Sequence, residues 1–130
     1  MTDAADALLF KARESLLAAE SEFANGRFNN SANRSYYACF QAAVHALDVA
    51  GVRPAGRHGR WSHSFVPAQF DGVLIASRKL YPPELRNTLS RNDLLRQTGD
   101  YDDDVVTELE AGRALRRARR FLDAIEGRRG

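Results

Sequence analysis

The 130-residue chain is expected to be all-α: one domain spanning residues 1–130, an antiparallel bundle of about five helices. Three observations lead there. Apolar residues recur at steps of three and four through most of the chain, which is the repeat of one helix face. No stretch alternates with period two for long enough to make a strand. The segments between periodic runs are short, so consecutive helices must turn back on one another around a shared core. With 44% hydrophobic residues, a chain of this size supports one such core.

The first helix is expected from Asp3 to Ala24, on Leu9, Ala12, Leu16, Ala19 and Phe23, with Asn25-Gly26 as its C-terminal cap. The second runs from Phe28 to Ala50 through Ala32, Ser35, Cys39, Ala43 and Ala46, and Gly51 ends it. GVRPAGRHGRWSHS, residues 51 to 64, has glycines and prolines but no helical period and reads as a loop. Helical spacing resumes at Phe65 and stops before Tyr81-Pro82-Pro83, because a residue preceding proline is pushed out of the α region. Glu84 to Arg96 makes a shorter fourth helix on Leu85, Leu89 and Leu95, interrupted by QTGDYDDD. A long fifth helix runs from about Asp102 to Glu126 on Val105, Leu109, Gly112, Leu115, Ala118, Leu122 and Ile125, and residues 126–130 read as a frayed tail.

Charge and cysteine usage bound the setting. Of 19 basic residues only Lys11 and Lys79 are lysines, so the cations are almost all planar forks suited to carboxylate or phosphate, although a GC-rich genome would leave the same excess of arginine. Cys39 is the one cysteine, which fits a reducing compartment. The N-terminus carries acids where a signal peptide carries bases, and the apolar run Ala7 to Phe10 is too short for a membrane span. The expectation is a cytoplasmic protein without membrane contact. Three scattered histidines make no metal cluster and no phosphate-binding glycine loop is present, so neither metal nor cofactor is expected.

The second helix carries the most informative pattern. At 100° per residue, Ala32, Ser35, Cys39, Ala42, Ala43 and Ala46 form a band of small side chains that lets a neighbouring helix approach closely. Arg34, Tyr37, Gln41, His45 and Asp48 line another face. An ordinary solvated face would hold more Glu and Lys, whereas these side chains are types that contact bases and phosphates; a subunit interface is the other reading. Adjacent tyrosines on a helix point about 100° apart. Tyr36 is therefore expected in the core and Tyr37 on the stripe, with Asp100 or Arg96 as hydroxyl partners if the fourth helix returns beside the second.

Near the fifth helix, Asp100 is expected at or near the N-cap, followed by Tyr101 and the acids Asp102 to Asp104, which would meet the positive end of the helix dipole. Arg113, Arg116, Arg117, Arg119 and Arg120 exceed what the opposite end of a dipole calls for. They suit RNA, an acidic partner, or the acidic first turn of the same helix in a second subunit.

Taken in order, Tyr36-Tyr37-Ala38 with Phe40, then His63 ahead of Phe65 and Phe70, then Arg96 with Asp100-Tyr101 resemble the HEPN domain family, named for its higher-eukaryote and prokaryote nucleotide-binding members. The resemblance covers nearly the whole chain. It implies an up-and-down helical bundle, often a homodimer, in prokaryotic toxin–antitoxin, stress or defence modules and frequently paired with a nucleotidyltransferase. It also implies RNA or nucleotide as ligand, and sites at Arg34, Tyr37, Gln41, His45, Asp100 and Tyr101 follow from joining it to the polar stripe.

Many members of that family are metal-independent ribonucleases with an Arg-x(4–6)-His signature. Arg53 with His58 and Arg57 with His63 satisfy the spacing, but in an arginine-rich chain about one such match arises by chance. Both fall in the loop after the second helix, and the signature is absent from the late helix where those ribonucleases carry it. Two alternatives therefore stand beside the nucleotide-associated reading. One is a metal-independent ribonuclease using His63 with Arg96 or Arg34, a proton-moving group with a cation for the phosphate. The other is a non-catalytic dimeric interaction scaffold.

Overall fold

The computed structural model describes residues 4–56 and 59–129. Arg57 and His58, one from each Arg-x-His match, lie outside the described residues, as does Asp3. Among the described residues there is no strand, and five helices form the bundle: α1 (Ala4–Ala24), α2 (Phe28–Val49), α3 (Phe65–Gln69, continuing as a π-helix over Phe70–Ser77), α4 (Thr88–Tyr101) and α5 (Glu108–Arg129). No helix is long and apolar enough to cross a membrane among those residues.

α1 and α2 end in the same way, for the same reason. Gly26 and Gly51 adopt φ of 76° and 79°. At each end two amides then fold back on the last turn: Arg27 and Gly26 donate to the carbonyls of Glu22 and Phe23, and Val52 and Gly51 to those of Leu47 and Asp48. This double bond pattern needs a left-handed residue, which glycine supplies without a Cβ penalty.

α2 is the centre of the bundle, packed by α1, α4 and α5. Its small-residue band, Ala32, Ser35, Cys39, Ala42, Ala43 and Ala46, is buried throughout. Leu9, Leu16, Leu47, Leu74, Leu115, Leu122 and Ile125 fill the spaces between helices, each contributing roughly 1.5–3 kcal/mol by leaving water. Phe70 anchors the far end, its ring 4.8 Å from Phe121 and 5.3 Å from Tyr81. Ion pairs from Arg13 to Asp123 and Glu126, and from Arg119 to Glu20, tie α1 to α5.

α3 ends before the proline pair as the sequence leads one to expect, whereas both ends of α4 and of α5 differ from that expectation. α3 stops at Ser77, before the proline pair, because Lys79 turns left-handed at φ 55° and Leu80 bonds back to the Leu74 carbonyl. α4 begins at Thr88 rather than Glu84, since Pro83–Leu85 form a single 3₁₀ turn and Asn87 sits at φ 68°, its amide held by Asp71 at 3.1 Å. α4 also runs through Gly99 to Tyr101.

That last difference corrects the expectation for Asp100: it lies in the final turn of α4, not at the N-cap of α5. The cap of α5 is Thr107. Its hydroxyl accepts from the Glu110 amide at 3.1 Å while the Glu110 carboxylate accepts from the Thr107 amide at 3.0 Å, a reciprocal capping box. Asp102 to Asp104 precede the helix, and Val105, expected in the core, is 68% exposed. α5 continues to Arg129, past the start of the tail expected at 126–130.

Candidate functional site

The close approach of α4 to the start of α2 builds the site. A Cβ on Gly99 would come within 3.2 Å of the Asn29 Cα, a tight contact that would push the two backbones apart by a few tenths of an ångström, so glycine suits this close approach. Asn29 secures the following strap by accepting from the Val106 amide at 2.8 Å. α4 is thereby laid along the N-terminal half of α2, with Arg96 beside the tyrosine pair.

Tyr36 is fully buried, as the sequence suggests, and burial pushes its phenol pKa up, assisted by the nearby charge of Asp93. Its hydroxyl partner is neither Asp100 nor Arg96 but the Nδ1 of His63. His63 reaches it from the entry turn of α3, where the Ser62 hydroxyl accepts from the Phe65 amide at 2.9 Å and fixes the backbone. The imidazole packs 4.9 Å from the Phe40 ring and stacks at 5.5 Å on Tyr36, yet the residue as a whole stays exposed.

Arg96 approaches the same rings from α4. Its guanidinium carbon lies 5.1 Å from the Tyr36 ring centre and 6.0 Å from those of both Tyr37 and Tyr101, within cation–π reach. His63 and Arg96 are thus brought together on one buried tyrosine, a juxtaposition that no spacing in the chain establishes. Burial strips solvent from Arg96, but its bonds to Asp93 outweigh that and hold its pKa above the ordinary range. Asp93 lies at 2.8 Å and Asp100 at 3.5 Å. Asp100 would be misplaced at the negative end of a helix; Arg96 and the Asn33 amide, 3.0 Å away, keep it there.

The outer edge is an aromatic–arginine surface. Tyr37 is half-buried with Arg34 over its ring at 5.1 Å, and Arg34 is braced by the Asn33 side chain at 2.8 Å. Tyr101 is 76% exposed.

The polar stripe of α2 does not stay together. Arg34 and Tyr37 join the α4 side. Gln41 faces α1, its side-chain amide 2.7 Å from the Ser15 hydroxyl. His45 is buried, its Nδ1 donating to the Ala5 carbonyl at 2.5 Å. It borders a separate cavity of about 510 Å³ with Asp6, Tyr81 and Arg128. Asp48 pairs with Arg53. α1 lies over the C-terminal half of the stripe, and only the N-terminal half emerges beside α4.

Sequence reasoning missed Asp93 and Asn33, the groups that hold Arg96 and Asp100. The signal was present as Asp93, Arg96 and Asp100 at steps of three and four, but it is hidden when the fourth helix is ended at Arg96. Also missed was Asn92, fully buried between α2 and α5, with Arg117 donating to its Oδ1 at 2.8 Å and its own amide donating to the Ala114 carbonyl at 3.2 Å. Cys39 lies against the same amide, and burial pushes its thiol up to about 12, far from a reactive thiolate. No group of three metal-ligating side chains occurs among the described residues.

Comparison with curated proteins finds no match. A family model described as "HEPN domain" matches residues 5–128, nearly the whole chain.

Proposed function

Because the chain belongs to the HEPN domain family, nucleotide- or RNA-associated helical domains, we propose that the α2–α4 surface is where it holds RNA or a nucleotide. Arg34, Tyr37, Asp100 and Tyr101 are its contact residues. The observation that carries this is the exposed ring of Tyr101 and the half-buried Tyr37, each 6.0 Å from the Arg96 guanidinium carbon, with Arg34 over the Tyr37 ring. Aromatic rings stack bases of any sequence, and interleaved arginines meet the backbone. The setting is a prokaryotic, cytoplasmic toxin–antitoxin, stress or defence module, in which the protein acts as a homodimer with a nucleotidyltransferase partner. Gln41 and His45 lie apart from this surface and serve the contact with α1.

A second reading, a metal-independent ribonuclease, draws on the meeting of His63 and Arg96 at Tyr36. Its weakness is electrostatic. Arg96 is already flanked by two carboxylates, so it offers a pentavalent phosphate less charge than an unpaired arginine would. Arg34, which among the described residues donates to the neutral Asn33 amide and to no carboxylate, is the better cation for that chemistry. A third reading, a dimeric scaffold, draws on the exposed apolar side chains Leu94, Val105 and Leu109.

One experiment separates the three. Mixed-sequence RNA is incubated with the protein in excess chelator at several salt concentrations, alongside Tyr101→Ala, Arg34→Ala and His63→Ala. The proposal expects intact RNA, a shift that weakens steeply with salt, and a loss of roughly 1–3 kcal/mol in Tyr101→Ala from the missing stacking. Cleavage abolished by His63→Ala makes the protein a ribonuclease. Neither binding nor cleavage leaves the scaffold.

A further inference from the structure

The other side of α4 is built differently. A small cavity of about 70 Å³ between α4, α5 and the turn before α4 is bordered by Arg86, Arg91, Arg117 and Arg120, with Glu84 as its one carboxylate and Thr88 as a hydroxyl. Four guanidinium groups against one acid leave a formal excess of three positive charges around a space the size of a small ion. Among the described residues no carboxylate is within ion-pair distance of Arg91, Arg117 or Arg120; Arg86 is close enough to Asp71 to act on its charge.

The arrangement is fixed from beneath. Asn92 is fully buried, and because its amide nitrogen is committed to the Ala114 carbonyl, its oxygen must face outward to Arg117. Arg117 is therefore held by its Nε, which leaves both terminal nitrogens for another acceptor. Burial, and then the charges of Arg91, Arg113 and Arg116, disfavour its protonated form. Like charges gathered in excess of their counter-charge work against the fold, and an anion bound among them reduces the repulsion and gains charge-assisted bonds from several forks at once.

We propose that this cavity is a second site, one that takes a terminal phosphate, the tetrahedral dianion at the end of a nucleotide or of an RNA chain. Size and charge select that chemistry. The cavity admits a phosphate group but no nucleoside, and an internal diester, with a sugar on each side and one charge, fits an enclosed pocket poorly. The remainder of the ligand has a place to lie, because a shallower hollow of about 240 Å³ bordered by Leu94, Leu95, Arg113 and one carboxylate, Glu110, shares Arg91 and Arg117 with the cavity. The site is separate from the aromatic surface, since Arg91 projects roughly 140° around α4 from Arg96 and lies roughly 15 Å along the helix axis from Tyr101.

The test uses the full chain at low ionic strength with inorganic phosphate, a nucleoside 5′-monophosphate, and two RNA oligonucleotides of one sequence bearing a 5′-phosphate or a 5′-hydroxyl. The 5′-phosphate is expected to raise RNA affinity about tenfold or more, a difference of at least ~1.4 kcal/mol, with inorganic phosphate competing the gain away. Arg91→Gln and Arg120→Gln, both at exposed positions, should abolish the preference while circular dichroism stays unchanged. Arg117→Gln is not used to decide, since it leaves the buried Asn92 oxygen without its donor. Tyr101→Ala should lower affinity for both oligonucleotides and keep their ratio, so failure of the aromatic site and failure of this one are told apart. Binding of the monophosphate alone, lost in both Gln variants, also supports the site and makes a free nucleotide its ligand. Equal affinity for the two oligonucleotides without monophosphate binding overturns it, as does a preference that survives both Gln variants, or no binding of any phosphate ligand.

Discussion

Arg96 on α4 and Arg117 on α5 are the same residue type, each inside the bundle's edge and each fixed by a neighbour on α4, yet their surroundings are opposite in sign. Arg96 is clasped by Asp93 and Asp100, and its pKa is held up. Arg117 is held by a neutral amide among other arginines, and its pKa is pushed down. Charge satisfied within the chain makes a positioning group: Arg96 orders three tyrosine rings. Charge left unsatisfied makes a surface complementary to an anion. On this account the two sides of α4 divide the work of holding a nucleotide ligand, rings on one side and phosphate on the other.

The comparison is broken most sharply at the two arginines themselves. Arg96→Ala leaves two carboxylates without their cation, one of them part-buried, and should cost about 2–4 kcal/mol in denaturant unfolding. Arg117→Ala deprives the Asn92 oxygen of a partner but relieves repulsion, so a net loss near 1 kcal/mol is expected. Equal costs, or the reverse order, would contradict the assignment of satisfied and unsatisfied charge.

Gly99→Ala sharpens it. Overpacking against the Asn29 backbone should exceed the helix-propensity gain, for a net loss of about 1–2 kcal/mol. It should also weaken RNA binding on the tyrosine side while leaving the 5′-phosphate preference intact.

The buried phenol gives a pH signature to the tyrosine side. The Tyr36 pKa is raised from its ordinary 10.0, so above that pH the unfolded chain releases the proton first, binds fewer protons than the native state, and becomes favoured. Stability should therefore fall as pH rises past about 10. Tyr36→Phe should lessen that fall, the remainder coming from the buried Cys39 thiol and the Tyr81 phenol, whose pKa values burial also raises, at a cost of about 1 kcal/mol at neutral pH for the lost bond to His63. A small control completes the series. The Ser35 hydroxyl is buried and has no partner among the described residues, so Ser35→Ala should leave stability unchanged or raise it by up to about 1 kcal/mol.

How far the sequence reaches differs between the two sides. The bundle, the burial of α2's small residues, the inward Tyr36 and the outward Tyr37 all follow from a repeat of 3.6 residues per turn, which is a local property. The meeting of His63 with Arg96 is not local, since it depends on how a loop and a close helix contact fold back, and only Gly99 hints at the latter. The boundary of α4 was obscured because TGDYDDD has the composition of a turn, while Arg96 and Asn33 supply the partners that keep its first residues helical through Tyr101. The division of the α2 stripe was hidden because periodicity says which residues share a face and not which neighbour covers it. On the arginine side the charges were visible, but not that Arg119 pairs with Glu20 while Arg117 rests on Asn92.

The most direct test of the central claim is where RNA touches the protein. RNA carrying 4-thiouridine, crosslinked by near-ultraviolet light and mapped by mass spectrometry, should leave adducts on the peptides containing Tyr37 or Tyr101, reduced as salt is raised. Adducts confined to other helices, or none at concentrations where binding is saturated, would contradict the account.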